Sequence, residues 1–368
     1  IRALVKPGMR IAVGVGSRGI QNLYTIVETT VNSLKELGAE PFIVSAMGSH
    51  GGGTEEGQRE VLAGYGITEE RLGVPVVTTV DTVYLGNCAN GRPVWFDRAA
   101  YEADLIVPIN RVKLHTDFVG PIQSGLCKML VIGLGNHKGC SAVHEEAPEV
   151  FADAIEETAR LILQKAPVGF GIAILENAYD KTYAVEAVPA EHLVEREKEL
   201  VQIAKGNMPY IMLDEADVIV CGAIGKDISG AGFDPNILGR SSVLKQFVLH
   251  IPRYQRLVLC DVTPASHGNG IGVGLFDVIT KKVAEQLDLE SMYANAIACN
   301  CLGDASVPCT VDDEETAIRV ALKCCRNIDR DHPRIIRIQN TLHLGEIEVS
   351  EALLDAVRAD SRMSLIEN

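Results

Sequence analysis

Residues 10–46 read RIAVGVGSRGIQNLYTIVETTVNSLKELGAEPFIVSA. The apolar run Arg10–Val15 ends before a glycine and has the length and flanks of a buried strand. Leu23–Leu37 then places apolar side chains close to helical spacing, and the Gly38 that follows is typical of a helix end. Pro41–Ala46 has the pattern of a second strand. A strand, a helix and a strand in this order favour an α/β fold with a mainly parallel sheet.

The same alternation continues along the chain. We predict strands at Ala103–Ile109, Gly171–Leu175, Asp217–Cys221 and Arg256–Cys260, a helix at Pro148–Gln164, and a charged, mostly exposed helix at Ala190–Lys205. A boundary near Gly206 separates a domain of residues 1–206 from one of residues 207–340, and we expect residues 341–368 to pack back on the N-terminal domain. The predicted fold is two α/β domains with mainly parallel sheets and an active-site cleft between them.

The composition disfavours several classes of protein. Of 368 residues, 47% are hydrophobic and 23% charged, which is enough apolar material for large cores and argues against a disordered chain. The formal net charge of -15 disfavours binding to nucleic-acid phosphates. The sequence has no run of about 18 apolar residues and no export-signal pattern, which predicts no membrane span and a cytoplasmic location. The ten cysteines include no Cys-x-x-Cys pair and are expected to be free thiols.

Three histidines lie where chemistry is expected. His50 lies in GSHGGGT after the second strand, His115 lies in KLHTD after the strand that ends near Ile109, and His144 lies in SAVHEE. An imidazole titrates near neutrality, so each ring is suited to be a base, an acid or a metal ligand. The carboxyl ends of parallel strands are where such folds bind ligands, although a single histidine is more often structural than functional.

A lysine and a glycine-rich loop are the other chemical features of the N-terminal domain. Lys128 lies among apolar residues in GLCKMLVIG, so its amine either reaches solvent from a partly buried helix or is bonded to a cofactor. The motif Gly14-x-Gly16-x-x-Gly19 follows a strand and precedes a helix, as in dinucleotide-binding proteins. The acidic residue that such proteins need after the second strand is missing, so we interpret the loop as a phosphate site with Arg18 as counter-charge.

In combination, these residues resemble the nickel-pincer lactate racemase family of 2-hydroxy acid racemases and epimerases. The resemblance covers roughly the first 145 residues, in which an arginine, two histidines, a lysine and a third histidine occur in the family's order. It implies cofactor contacts at Arg18, Ser17, Thr54 and Gly133, covalent attachment at Lys128, general bases at His50 and His115, and a nickel ligand at His144. The segment Thr116–Cys127 is longer than the family's, and Cys127 stands where the family has an arginine.

The resemblance also implies a cofactor and a reaction. The cofactor is a nickel-pincer pyridinium-3,5-bisthiocarboxylic acid mononucleotide, which separate biosynthetic enzymes build and which accepts a hydride from the Cα of a 2-hydroxy acid. Two bases on opposite sides of the substrate would take the hydroxyl proton from either enantiomer. The N-terminal domain would bind the cofactor and carry out catalysis, while the second domain would close on the substrate. There, Arg240, Lys226 and His267 are the predicted substrate-binding residues, near a stretch, Asp234-x-Asn236-Ile237, that resembles the family's.

Two other functions stay open at this point. An NAD-type dehydrogenase would use the glycine motif, bind a dissociable dinucleotide and need neither Lys128 nor His144. A nonenzymatic nickel-binding or cofactor-binding protein would need His144 but no pair of bases. The sequence does not distinguish lactate from malate, longer hydroxy acids or sugar acids as the substrate.

Overall fold

The computed structural model describes residues 2–17 and 19–366. It divides into two compact units, Ile1–Met208 and Pro209–Asn368. Within the described residues, each unit is built around one six-stranded, mainly parallel sheet. The prediction of an α/β protein with two mainly parallel sheets is therefore confirmed, while an active-site cleft between the domains stays a prediction.

The first unit alternates strands and helices. Its strands are β1 Arg10–Val15, β2 Glu40–Ser45, β3 Val76–Val77, β4 Thr82–Asn87, β5 Pro93–Asp97, β6 Leu105–Arg111, β7 Phe170–Glu176 and β8 Thr182–Pro189. Its helices are α1 Leu23–Glu36, α2 Glu55–Gly64, α3 Glu69–Leu72, α4 Arg98–Tyr101, α5 Leu126–Lys128, α6 Asn136–His144, α7 Phe151–Lys165 and α8 Leu193–Asn207. A π-helical turn, Met129–Gly133, continues α5.

The first sheet has the order β3-β2-β1-β6-β7-β8, and only the β7–β8 pair is antiparallel. The strands β4 and β5 form a separate antiparallel hairpin. The strands at the centre of the sheet are continuous apolar runs because both faces are covered, and Ile11, Val13, Ile43 and Val107 are fully buried. This core fixes the sheet edge at which the candidate site lies.

The second unit repeats the design. Its strands are β9 Val218–Cys221, β10 Arg256–Leu259, β11 Val278–Thr280, β12 Cys309–Val311, β13 Ile335–Ile338 and β14 Ile347–Val349. Its helices are α9 Pro235–Leu238, α10 Lys281–Gln286, α11 Leu289–Ala298, α12 Glu314–Lys323 and α13 Leu354–Ala359. The sheet order is β12-β11-β10-β9-β13-β14, with β13 and β14 antiparallel.

Two details differ from expectation. The helix α8 was predicted to be mostly exposed, but it is amphipathic: one face buries Leu193, Leu200, Val201 and even the carboxyl group of Glu197. Residues 341–368 were expected to pack back on the N-terminal domain. In the structure, β14 from this segment pairs with β13, and nearby apolar side chains join the core of the second unit.

No helix in the described part of the chain is long and apolar enough to cross a membrane.

Candidate functional site

The carboxyl edge of the first sheet gathers several of the predicted residues. The chain leaves β1 for β2 and β3 on one side, and β6 lies on the other side of β1. Loops diverge at such a switch point and leave a crevice in which α/β proteins bind ligands. The segments that follow β1, β2 and β6 carry Ser17, His50 and His115. The topology therefore brings these three side chains to one edge.

His50 lies in a loop that depends on glycines. Gly48 has a φ of 60°, and its N–H donates to the carbonyl of Gly133 at 3.0 Å. Gly51–Gly53 have φ values between 64° and 67°, which residues with side chains rarely adopt. The loop leaves His50 exposed, with its Nδ1 hydrogen-bonded to the Oγ of Ser17. His50 and Ser17 thus form one polar pair at the sheet edge.

His115 and Lys128 form a second pair. The Nζ of Lys128 lies 2.6 Å from the Nε2 of His115. The backbone N–H of Asp117 donates to the Nδ1 of the same ring at 3.0 Å, so a neutral imidazole carries its proton on Nε2, facing the amine. Phe118 stacks on the ring with centroids 4.2 Å apart. The ring plane of His115 is therefore fixed, and its Nε2 faces the amine of Lys128.

The segment that carries Lys128 is locally unusual. After Lys128 the helix widens into a π-helical turn, in which the N–H of Leu134 donates to the carbonyl of Met129 at 2.8 Å. Such turns are frequent at functional sites. A Cβ on Gly133 would lie 2.8 Å from the carbonyl oxygen of Ala46. Gly133 is therefore needed for close packing against the end of β2, while its predicted contact with a cofactor stays a prediction.

His144 ends α6, one turn after Cys140. The Nδ1 of His144 donates to the carbonyl oxygen of Cys140 at 2.7 Å and lies 3.5 Å from its Sγ. The hydrogen bond with the Cys140 thiol raises the pKa of His144, although burial and the nearby charge of Lys128 oppose this. Burial raises the pKa of Cys140, but hydrogen bonds with His144 and Ser49 outweigh it and lower that pKa overall. Because the carbonyl holds the Nδ1–H, Nε2 is the nitrogen that can bind a metal.

Two buried aromatic rings connect these groups. Phe118, which stacks on His115, packs against Phe151 with centroids 4.9 Å apart. Phe151 in turn meets the ring of His144 edge-on, with centroids 5.1 Å apart. The four rings form a continuous row that links the His115–Lys128 pair to His144.

The side chains at this edge fit the cofactor that the resemblance implies. They offer a lysine amine for attachment and an imidazole nitrogen whose tautomer suits a metal. Thr54 caps α2, with its Oγ1 accepting the N–H of Gly57 at 3.1 Å, and Arg18 lies outside the described residues. Within residues 2–17 and 19–366, no group of three or more His, Cys, Asp or Glu side chains is arranged to hold a metal ion.

The three residues predicted to bind substrate lie in the second unit. The guanidinium of Arg240 donates to the carboxylate of Asp277 at 2.6 Å, and the Nζ of Lys226 donates to the side chain of Asn295 at 2.6 Å. His267 is exposed and has a φ of 47°. The structure gives both cationic side chains a partner inside their own unit, and their binding of a substrate stays a prediction.

Sequence reasoning missed three residues of the site. Cys140 precedes His144 by four positions, a helical spacing that places both side chains on one face and that could have revealed the pair. Phe118 and Phe151 gave no comparable signal, because they meet only through the tertiary fold.

Known proteins resemble this chain in the sequence of its N-terminal part and in its fold. Residues 1–153 match the family model described as the lactate racemase N-terminal domain. The fold is similar to the structure of the lactate racemase apoprotein from Thermoanaerobacterium thermosaccharolyticum, with a TM-score of 0.54 and 12% identity over 93% of this chain and 87% of that one. It is also similar to the crystal structure of a Thermotoga maritima protein, with a TM-score of 0.50 and 12% identity over 94% and 83% of the two chains. No curated protein sequence matches this chain. The N-terminal part of the chain, residues 1–153, therefore belongs to the lactate racemase N-terminal domain family.

Proposed function

We propose that this protein is a racemase or epimerase of 2-hydroxy acids that uses a nickel-pincer mononucleotide. The observation that carries the proposal is the 2.6 Å contact between the Nζ of Lys128 and the Nε2 of His115. It supports the proposal because an attachment point and a base are adjacent at the edge of the sheet that also carries His50. A lysine placed only for solubility would not need a fixed imidazole beside it.

The two histidines are the proposed general bases. A racemase must take the hydroxyl proton from either enantiomer, so it needs a base for each, and a neutral imidazole is suited to this near pH 7. To act as a base through Nε2, His115 would carry its proton on Nδ1, and that tautomer would replace the hydrogen bond that the N–H of Asp117 donates to Nδ1 in this structure. The Oγ of Ser17 is hydrogen-bonded to the Nδ1 of His50, and Nε2 is the nitrogen of His50 that we propose to act on substrate.

The remaining residues would hold the cofactor. When bound, the nickel-pincer group supplies an acceptor for the hydride on Cα, and the protein orients it. Lys128 would tether the group, the Nε2 of His144 would bind its nickel, and Arg18, Ser17, Thr54 and Gly133 would contact the remainder. We therefore propose the enzymes that build the cofactor as partners of this protein. We also propose that they and this protein are located in the cytoplasm. Arg240, Lys226 and His267 remain the proposed substrate-binding residues of the second domain.

The test is inversion of a stereocentre. The protein is made together with the cofactor-building enzymes, incubated with single enantiomers of lactate, malate, longer hydroxy acids and sugar acids, and followed by chiral chromatography. We expect at least one of these acids to be inverted without added NAD. Protein with a complete adduct on Lys128 that inverts none of them would overturn the proposal, and NAD-dependent oxidation would favour the dehydrogenase alternative.

A further inference from the structure

A buried carboxyl group lies behind the turn that carries Lys128. Glu197 on α8 has a side chain with 0% exposure. Its Oε2 accepts the backbone N–H of Cys127, the residue before Lys128, at 2.8 Å. Its Oε1 has no hydrogen-bond partner among the described residues. Burial raises the pKa of Glu197 to about 7, although hydrogen bonds from the N–H groups of Cys127 and Leu126 oppose the rise.

The chain leaves room for this carboxyl group at Gly125. A Cβ on Gly125 would lie 2.6 Å from the Cδ of Glu197. Gly125 has a φ of 174°, an extended conformation open to any residue, so space rather than backbone conformation requires glycine here. On the other side, the side-chain amide of Asn110 donates to the carbonyl of Gly125 at 2.8 Å. The turn before Lys128 is thus held both from α8 and from the end of β6.

The free-energy cost of burying the Glu197 carboxyl group indicates that it serves the turn before Lys128. Burying a carboxyl group is unfavourable, and an apolar side chain would normally fill such a position in the core. A first-turn N–H such as that of Cys127 has no acceptor within its own helix, so an acceptor must come from elsewhere. The thiol of Cys127 is itself fully buried, and burial together with the Glu197 carboxyl group raises its pKa well above the ordinary value. Cys127, which replaces the family's arginine, therefore belongs to this buried contact.

We propose that Glu197 is a positioning residue that fixes the Leu126–Lys128 turn and thereby holds the amine of Lys128 ready for attachment of the cofactor. This inference rests on the proposed function. The hydrogen bonds that the structure gives Glu197 are to the backbone and thiol of the neighbouring turn, so it acts through Lys128 and not on the substrate.

The experiment compares Glu197→Leu with Glu197→Gln in the full chain. The glutamine keeps an acceptor for the N–H of Cys127, and the leucine removes it. Glu199→Ala, at an exposed position on the same helix, is the matched control. Hydrogen exchange of residues 125–133 is measured on protein made without the cofactor, and the rate of adduct formation on Lys128 is measured by peptide mass on protein supplied with it.

We expect Glu197→Leu to speed exchange in residues 125–133 and to slow adduct formation, each about tenfold or more, which is the size of a lost hydrogen bond to a charged group. Glu197→Gln and Glu199→Ala should stay within about twofold of wild type. If Glu197→Leu does not fold, Gly125→Ala pushes on the same carboxyl group and should have the same two effects.

Folded Glu197→Leu or Gly125→Ala protein with wild-type exchange and wild-type adduct formation would overturn the inference. Equal loss in Glu197→Gln and Glu197→Leu would also overturn it, since the acceptor would then not be what matters. An adduct absent from Lys128 in the wild-type protein would instead count against the proposed function itself.

Discussion

The two sheets of this protein share a design but differ in their chemistry. Each has a switch point, between β1 and β6 in the first unit and between β9 and β13 in the second, and each ends in an antiparallel edge strand. At the first switch point, Lys128 is paired with the imidazole of His115. In the second unit, Arg240 is paired with the carboxylate of Asp277. The same strand pattern builds both units, so the difference in chemistry comes from the loops.

The presence of a cavity does not mark the same unit as the chemical groups do. A cavity of about 540 Å³ lies in the second unit, bordered by Asp214, Glu215, Arg334 and residues of the C-terminal segment. Asp214 and Glu215 precede β9, and Arg334 precedes β13, so the cavity lies at the amino ends of these strands. Ligands of α/β sheets bind at the opposite, carboxyl ends. The arrangement of chemical groups is therefore the better guide to the site.

The largest expected difference between the two units is the covalent attachment of the cofactor to the first. Lys128→Ala should abolish the cofactor adduct, and Lys128→Arg should abolish it too, because a guanidinium cannot form the thioamide. Lys226→Ala in the second unit should leave the adduct intact. Intact mass and peptide mapping measure this directly. An adduct found on Lys113 or Lys138 would show that the assignment to Lys128 is wrong.

Nickel content should separate the units almost as clearly. His144→Ala should lose most of the bound nickel, because its Nε2 is the proposed protein ligand, while His250→Ala in the second unit should keep it. Metal analysis after desalting gives the ratio of nickel to protein. Wild-type nickel content in His144→Ala would contradict the assignment.

The bases should affect rate without affecting metal. His50→Ala and His115→Ala should each slow racemisation about 10²–10⁴-fold, the usual effect of removing a positioned general base. Both variants should retain nickel, and His250→Ala should change the rate little. Rates from chiral chromatography at equal nickel loading make the comparison. Near wild-type rates in both base variants would remove the two-base mechanism.

A smaller effect concerns the pH dependence of stability. Burial raises the pKa of Glu197 from 4.5 to about 7, so the folded state holds this proton more tightly than the unfolded state. The contribution of this proton to the free energy of unfolding is fully present below about pH 4.5 and is lost as the pH rises to about 7. Between pH 4.5 and 7, the free energy of unfolding of the wild type should fall by about 3 kcal/mol relative to that of Glu197→Gln, in which residue 197 does not titrate.

The chain offers a probe that is confined to the first unit. Its single tryptophan, Trp95, lies on β5, so urea denaturation followed by tryptophan fluorescence reports this unit. If the free energies of unfolding of the wild type and Glu197→Gln change in parallel between pH 4.5 and 7, Glu197 is not a buried carboxyl group that titrates in this range.

The sequence predicted the positions of strands better than the contacts between side chains. The predicted strands lie within two residues of those in the structure because buried apolar runs with glycine flanks are a local signal. The pairing of His115 with Lys128 is not local: it depends on the intervening loop, which is closed by backbone hydrogen bonds between Lys113 and Ser124. The charge pattern of α8 likewise concealed its buried face, because a carboxyl group such as Glu197 enters the core only through a tertiary contact.

The most direct test of the central claim, hydride chemistry at the carboxyl edge of the first sheet, follows the hydrogen on Cα. A 2-hydroxy acid deuterated at Cα is racemised in ordinary water, and the deuterium in both enantiomers is measured by mass spectrometry. Hydrogen that moves as hydride does not equilibrate with solvent, so the product should retain nearly all of its deuterium. Rapid loss of deuterium into water would show proton abstraction, and the account of this site would have to be abandoned.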